Sequence, residues 1–443
     1  MLSAQEAEAL ILNLVRPLDQ QRDVETLDLL TASGRVLAAD VTGASDFPHW
    51  DNSAMDGYAV RYADVQHCSP EQPVTLKIVE EIPAGYQPQM TIQPGQAARI
   101  LTGSMMPAGA DTVVIQEVTE RHNALSVTQS GAQSDTQYDY VTIRSAPQNP
   151  QAFVRRRAEF YQAGTPLLSA GIALSAPEIA VLATAQCIRV PVYRRPRVAI
   201  LSTGSELVAP DQPLQPGQIV NSNEYALAAL IAKTGAEPIM LGIVPDQPDA
   251  LKQAIAQAVA TADMVLSSGG VSVGDYDYVD RILAELGAAI HIRTVAVRPG
   301  KPLTVATFET AQRSLSESRS YPSSSILYFG LPGNPVSALV SFWRFVQPAL
   351  RKLSGLANSW RPIIVEGRSH HELRSNGQRE TYLWGQMHLC NGTYEFRRAG
   401  GSHSSGNLIN LAQTNSLAII PIGQTLIPVG QPIQILQVDS PIT

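Results

Sequence analysis

A chain of 443 residues is too long for one ordinary hydrophobic core and implies about three domains. With 44% hydrophobic and 16% charged residues its composition is globular, and 31 Gly with 31 Pro call for many turns between short strands. A formal charge of -7 supplies no long-range positive field, which excludes broad binding to nucleic acid or to an acidic membrane, so an anionic ligand has to be held locally. Cys68, Cys187 and Cys390 lie far apart and match no metal-ligand spacing, as expected for free thiols in a reducing cytoplasm. The opening MLSAQEAEALILNLV has neither a basic flank nor a cleavage site, and no apolar run reaches the ~18 residues of a membrane helix. A soluble, unprocessed, cytoplasmic protein is expected.

In chain order, Ser3 followed by Glu6 forms a capping box, and Leu10, Ile11, Leu14 and Val15 make one apolar stripe that ends at Pro17, which predicts a helix. From 44 to 149 the pattern changes to short β pieces such as VTLKIV, AARILTG and DTVVIQEV. After Leu174, apolar strands at 197–202, 237–244, 264–267, near 290–297 and at 325–329 alternate with helices at 223–234, 249–260, 278–286 and 336–353. A Ser-rich stretch, 311–325, has the composition of a solvated insertion. This alternation predicts parallel βαβ units with helices on both faces. Short strands such as SLAIIPI and QPIQILQV return after Arg361. The expected fold is a multidomain α/β chain with a central doubly wound, mostly parallel sheet over 175–356 and a β-rich domain over 44–149. A small linking domain built from 1–43 and 150–174, and a C-terminal β domain over 357–443, complete it.

The unusual residues of the central domain follow its strands: Ser202-Thr203-Gly204-Ser205-Glu206, Pro245-Asp246, the loop SSGGVSVGDYDYVD from Ser267 to Asp280, Arg298-Pro299-Gly300-Lys301, and Leu331-Pro332-Gly333-Asn334-Pro335-Val336-Ser337. In a doubly wound sheet that edge binds ligands, because the loops diverge there and helix N-termini present free N–H groups. Gly269, Gly270 and Gly274 allow close backbone approach, and Ser267, Ser268 and Ser272 add hydroxyls, a set that suits a phosphate. A tightly packed turn explains the glycines equally well. The only Gly-Lys pair, Gly300-Lys301, is followed by Pro302, so no Walker loop is present. Glu206, Asp246, Asp275 and Asp277 would repel one another unless a cation such as Mg2+ lay between them. The alternative is that Asp275 and Asp277 cap helix 278–286. Arg298 and Lys301 bring positive charge to the same edge. Adjacent His370 and His371 point to opposite faces of a strand and suit a solvated edge, and Arg155-Arg156-Arg157 suits a solvated face or a contact between domains.

Four segments in this order, DNSAMDGYAV from Asp51, SSGGVSVGD from Ser267, RPGKP from Arg298 and GLPGNPVSA from Gly330, resemble the molybdopterin molybdenumtransferase family of MoeA and gephyrin E-domain proteins, along nearly the whole chain. The resemblance implies a molybdopterin-binding fold in the central domain. The implied activity takes adenylated molybdopterin and molybdate, cleaves the adenylate with Mg2+, inserts molybdenum into the dithiolene, and releases AMP and molybdenum cofactor. It also implies a homodimer in which Asp56 and Thr102 of the partner subunit reach the active site. Glu206, Asp246 and Asp277 correspond to acidic positions of the pterin cleft, with Asp246 and Asp277 as magnesium ligands. Ser267, Gly269, Gly270, Ser272 and Asp275 fall at the nucleotide and phosphate end. Arg298, Lys301, Pro332, Asn334, Pro335 and Ser337 form the far wall, where Lys301 and Ser337 with Ser402 resemble a molybdate pocket.

Implied protein partners are the molybdopterin adenylyltransferase and apo-molybdoenzymes, with no nucleic acid and no membrane. Two positions depart from the pattern: Phe160 stands where the family carries an acid, and Trp384 where it carries an arginine. Loss of a guanidinium from the molybdate pocket would weaken binding about ten- to a hundredfold unless Arg374 or Arg379 compensates. A non-catalytic pterin-binding or scaffold protein and an adenylyltransferase are the alternative readings. Retained Asp56, Asp246, Asp277 and Lys301 speak against the first, and the additional β domains against the second.

Overall fold

The computed structural model describes residues 1–127, 133–269, 276–309 and 325–439; for 123–127, 133–138 and 276–278 it describes the backbone alone. The chain forms two compact units, one made of Met1–Ala39, Ala170–Ile179 and Arg189–Thr443, the other of Asp40–Ser169 and Ala180–Ile188. The first opens with α1 (Ala4–Leu14), whose predicted capping box is present: the Glu6 N–H donates to Ser3 Oγ at 3.2 Å and the Glu6 carboxylate accepts the Ser3 N–H at 2.8 Å.

The central domain of this unit contains, in order, β1 (Arg197–Thr203), α2 (Ser222–Lys233), β2 (Glu237–Val244), α3 (Pro248–Thr261), β3 (Met264–Ser268), α4 (Tyr276–Glu285), β4 (Ala289–Thr294), β5 (Pro302–Glu309), β6 (Ser325–Leu331), α5 (Pro335–Ser341) and α6 (Gln347–Leu353). The sheet order is β2-β1-β3-β6-β5-β4. Strands β2, β1, β3 and β6 are mutually parallel, while β5 runs antiparallel to both β6 and β4. Side chains alternate across the sheet. Val198, Ile200, Met264 and Leu266 pack on one face with α1, α2, α5 and α6, and Ala199, Leu201 and Val265 pack on the other with α3 and α4.

Two elements differ from the sequence expectation. The strand near 290–297 does not run directly into the Ser-rich stretch, because β5 intervenes. Its Pro302 is the first residue of the strand, the one interior-sheet position that tolerates a missing N–H. Of the predicted insertion at 311–325, residues 311–324 lie outside the described residues, and Ser325 opens β6. The single helix expected over 336–353 is interrupted by a π turn, Phe342–Val346, ahead of Pro348. Proline cannot donate to the preceding turn and its ring presses on the carbonyl four residues back, so the helix widens there rather than breaking.

Five strands close the C-terminal barrel: β7 (Ile364–Ser369), β8 (Glu380–Cys390), β9 (Thr393–Arg398), β10 (Ser416–Ile420) and β11 (Pro432–Gln437), in the ring order β8-β9-β7-β11-β10-β8. Val297–Arg298 adds in parallel to Glu380–Thr381 of β8. In the second unit, a six-stranded sheet has the order Thr112–Ile115, Gly57–Val60, Gln96–Ile100, Val74–Ile82, Gln133–Ile143, Thr119–Val127. Gly57 sits between two neighbours in that sheet, where a Cβ would lie 2.1 Å from the Val114 carbonyl oxygen. No helix among the described residues is long and apolar enough to cross a membrane.

A buried polar network ties three parts of the first unit together. Arg344, 6% exposed in the π turn, donates from Nε to the Tyr382 hydroxyl of β8 at 3.0 Å and from its guanidinium to Glu8 of α1; Tyr382 in turn donates to Glu380. Removing one member of a buried ion pair leaves the other charge uncompensated. Arg344→Ala is therefore expected to lower unfolding stability by about 3 kcal/mol or more, measured by denaturant titration.

Candidate active site

A cleft of about 1110 Å3 opens at the carboxyl edge of the central sheet. Glu206, Asp246, Gly269, Pro332, Asn334, Pro335 and Ser337, all expected from the sequence, line it, together with Thr203, Asn221, Asn223 and Ser268. The two carboxylates come from the loops after β1 and β2, and the Ser205 N–H donates to Asp246 Oδ2 at 3.2 Å, which holds those loops together. Asn223, in the first turn of α2, donates from Nδ2 to Ser268 Oγ at 2.7 Å and to the Gly333 carbonyl at 2.8 Å. One amide thus joins the end of β3 to the Pro-Gly-Asn loop. Beneath it, Ser202 Oγ lies 2.9 Å from Asn221 Oδ1, Asn221 Nδ2 donates to buried Glu224 at 2.7 Å, and Glu224 accepts the Gly242 N–H at 2.8 Å.

Among the described residues, two lining residues each have a buried atom without a hydrogen-bond partner, Asn223 Oδ1 and Thr203 Oγ1. Such groups cost about 1–3 kcal/mol each when left unpaired.

Gly269 carries the backbone past β1. Its φ is +96°, and a Cβ there would lie 2.2 Å from the Thr203 carbonyl oxygen. Of the adjacent serines only Ser268 faces the cleft. Ser267 points to the opposite side of the sheet, 2% exposed, with its hydroxyl 2.5 Å from that of Tyr328, whose phenol burial pushes up to about 12. Ser267 belongs to the core rather than to the cleft wall. Arg298 is exposed, Lys301 is half-buried in the turn before β5, and Ser402 is exposed with its carbonyl accepting from Asn407 and Asn410; none of the three lines the cavity, although their neighbours Pro302 and Gly406 do. Gly270, Ser272 and Asp275, and the side chain of Asp277, lie outside the described residues.

Family models match the chain in three consecutive pieces: the MoeA N-terminal region (domain I and II) over 2–185, a "Probable molybdopterin binding domain" over 199–352, and the MoeA C-terminal region (domain IV) over 366–438. A molybdopterin molybdenumtransferase of Nostoc is 59% identical over 437 residues, covering 99% of this chain and 94% of that one. The chain belongs to the molybdopterin molybdenumtransferase family. A Bacillus subtilis molybdenumtransferase is 31% identical, covering 94% of this chain and 90% of its own. The crystal structure of the MoeA protein of Pyrococcus horikoshii superposes with a TM-score of 0.76 at 26% identity, covering 99% of this chain and 100% of that one.

The two departures from the family pattern sit in different surroundings. Trp384 is 1% exposed and stacks on His403 at 4.5 Å between ring centroids, within the hydrophobic core, so an arginine introduced there would meet an apolar interior. Arg374 is held by Glu372 at 2.6 Å, whereas Arg379 donates to the Val297 carbonyl beside Arg298. Phe160 is 58% exposed and lies against Phe47 in the second unit.

The second unit also holds Asp56 and Thr102. The Thr102 N–H and hydroxyl both donate to Asp56 Oδ1, at 2.7 and 2.8 Å, and these two bonds hold the carboxyl below the usual aspartate range. Ser268, read in the glycine-rich loop, lines the cleft as expected, whereas Asn221 and Asn223 complete it in a way the motifs did not reveal. The run Asn221-Ser-Asn-Glu224 before α2 was the available signal, a helix start placed after a strand.

Gly269→Ala is expected to destabilise the protein by about 2 kcal/mol or more, since neither the positive φ nor the backbone contact tolerates a methyl group; thermal denaturation and pterin titration together measure it. Thr102→Val is expected to raise the Asp56 pKa toward its ordinary value, read by NMR pH titration. Because the folded value is depressed, the stabilisation from these bonds is present above the ordinary aspartate pKa and lost as pH falls through the lowered one.

Proposed function

We propose that the protein inserts molybdenum into adenylated molybdopterin, cleaving the adenylate and releasing AMP and molybdenum cofactor. The observation that carries this reading is the cleft, where Glu206 and Asp246 meet the backbone turn at Gly269 and the Pro332–Ser337 run in a chain 59% identical to a curated molybdenumtransferase. The loops after β1 and β3, which bring Thr203, Glu206, Ser268 and Gly269 to the cleft, would hold the phosphate end. Ser272, Asp275 and Gly270 are assigned to the same end.

Glu206 and Asp246 are hard oxygen donors, and this chemistry fits Mg2+, with Asp277 as the further ligand. Among the described residues no three His, Cys, Asp or Glu side chains form a metal-binding set, so the pair needs a contribution from the start of α4, which carries Asp277. When bound, the ion would neutralise charge on the phosphoanhydride. We assign Ser337, which lines the cleft, to the molybdate end, with Lys301, Arg298 and Ser402 outside the cavity wall as further proposed members. Holding a dilute oxyanion next to two sulfurs is chiefly a matter of proximity.

The proposal includes a homodimer, with Asp56 and Thr102 of the partner subunit completing the site, and a cytoplasmic location suited to three free cysteines. The adenylyltransferase and apo-molybdoenzymes are its proposed protein partners. It also keeps the four-part division into 1–43 with 150–174, 44–149, 175–356 and 357–443.

The test incubates protein with adenylated molybdopterin, Mg2+ and molybdate, and follows AMP release and reconstitution of an apo-molybdoenzyme. AMP together with active enzyme is expected; pterin uptake without either product would indicate a binding protein, and consumption of ATP with unadenylated pterin an adenylyltransferase. Asp246→Asn is expected to slow AMP release about 100-fold while pterin affinity changes less than about threefold.

A further inference from the structure

A second cavity, of about 360 Å3, lies at the opposite edge of the central sheet. Its walls include Pro196, just before β1, and Gly235, between α2 and β2, so it sits at the amino ends of strands whose carboxyl ends form the cleft. Five cations line it: Arg35, Arg194, Arg195, Lys233 and Arg351. Three have partners within the fold. Arg194 makes a two-pronged contact with Asp263 at 2.6 and 2.8 Å and reaches Asp23 at 3.0 Å; Arg35 bonds Glu25 and the Tyr193 carbonyl; Lys233 pairs with Asp439 at 2.5 Å.

Arg195 and Arg351 have no carboxylate partner among the described residues. Arg195 is exposed, but Arg351 is half-buried, and burial alone pulls its guanidinium below the usual arginine range. Burying a cation without a counter-charge is unfavourable in general, and among the described residues no salt bridge or side-chain hydrogen bond is seen for the Arg351 guanidinium. Gln347, one turn earlier on α6, contributes an amide to the same wall, and Val36, Leu356 and Ile363 contribute apolar surface. The chemistry is a doubly cationic seat beside an apolar shelf. Guanidinium pairs bind phosphate by fork geometry. A bare phosphate would leave most of the space empty, whereas pockets of roughly 300 Å3 and above accommodate organic ligands.

We propose that this cavity is a second small-molecule site, taking an organic phosphate the size of a nucleoside monophosphate, with the phosphate between Arg195 and Arg351 and the organic part against Val36 and Leu356. The site is separate from the cleft, so occupancy at one edge of the sheet can be read independently of chemistry at the other.

The experiment titrates the full-length protein calorimetrically with AMP, inorganic phosphate and citrate, comparing wild type with Arg351→Gln and Arg195→Gln. Wild type is expected to take up a second equivalent of AMP beyond that in the cleft, more tightly than inorganic phosphate. Each variant is expected to weaken that second event about tenfold or more while molybdenum-insertion activity is unchanged. In phosphate-free buffer Arg351→Gln is expected to melt at the same temperature as wild type or higher, because an uncompensated buried charge has gone. A lower melting temperature with undiminished AMP uptake would show Arg351 to be a packing residue and overturn the proposal. So would the absence of a second equivalent, equal affinity for AMP and phosphate, or binding of citrate alone.

Discussion

The cleft depends on the side-chain amide of Asn223, which holds two loops of the sheet edge at hydrogen-bond distance. Loops that leave parallel strands diverge, and without a tie they would leave a broad open edge rather than a pocket. Asn223 supplies the tie by donating to Ser268 on one side and Gly333 on the other. Both donors are spent in this tie, and among the described residues its buried acceptor oxygen has no hydrogen-bond partner. Gly269 is the counterpart in backbone terms, since only a residue without a side chain can pass so close to the Thr203 carbonyl.

Rigidity behind the cleft comes from two apolar layers and one ionic strut. The sheet is buried on both faces, so the strand ends that carry the loops have little freedom to shift. The helix that follows the Pro-Gly-Asn loop widens into a π turn, and that turn is where Arg344 reaches α1 and the barrel together. Buried charges of this kind add less stability than well-packed apolar groups do, but they tolerate few alternative arrangements. The parallel pairing of Val297–Arg298 with β8 gives the barrel a second attachment, next to the loop that carries Lys301.

Charge is distributed by edge. The chain is acidic overall, yet five cations line the cavity at the amino edge. At the carboxyl edge the carboxylates dominate the described lining, which suits a bridging cation; at the amino edge arginines dominate, which suits an anion. One sheet thus presents opposite local fields at its two ends while the long-range field of the molecule stays negative.

The alternation of apolar strands and helices was enough to reveal the doubly wound sheet, because side-chain periodicity is local and survives without tertiary contacts. The motifs likewise announced Glu206, Asp246, Gly269 and the run from Pro332 to Ser337 as neighbours, since all follow strand carboxyl ends. Other features were decided only by the fold. Which of Ser267 and Ser268 faces the ligand depends on strand register, and β5 was hidden by the proline at its first position. Trp384 marks the same limit: sequence reports that an arginine is missing, but only packing reveals that the indole occupies the core against His403. The cavity at the amino edge has no motif at all. Its cations come from positions between 35 and 351, and no local pattern can report a meeting that is produced by the closing of the sheet and the docking of the final helix.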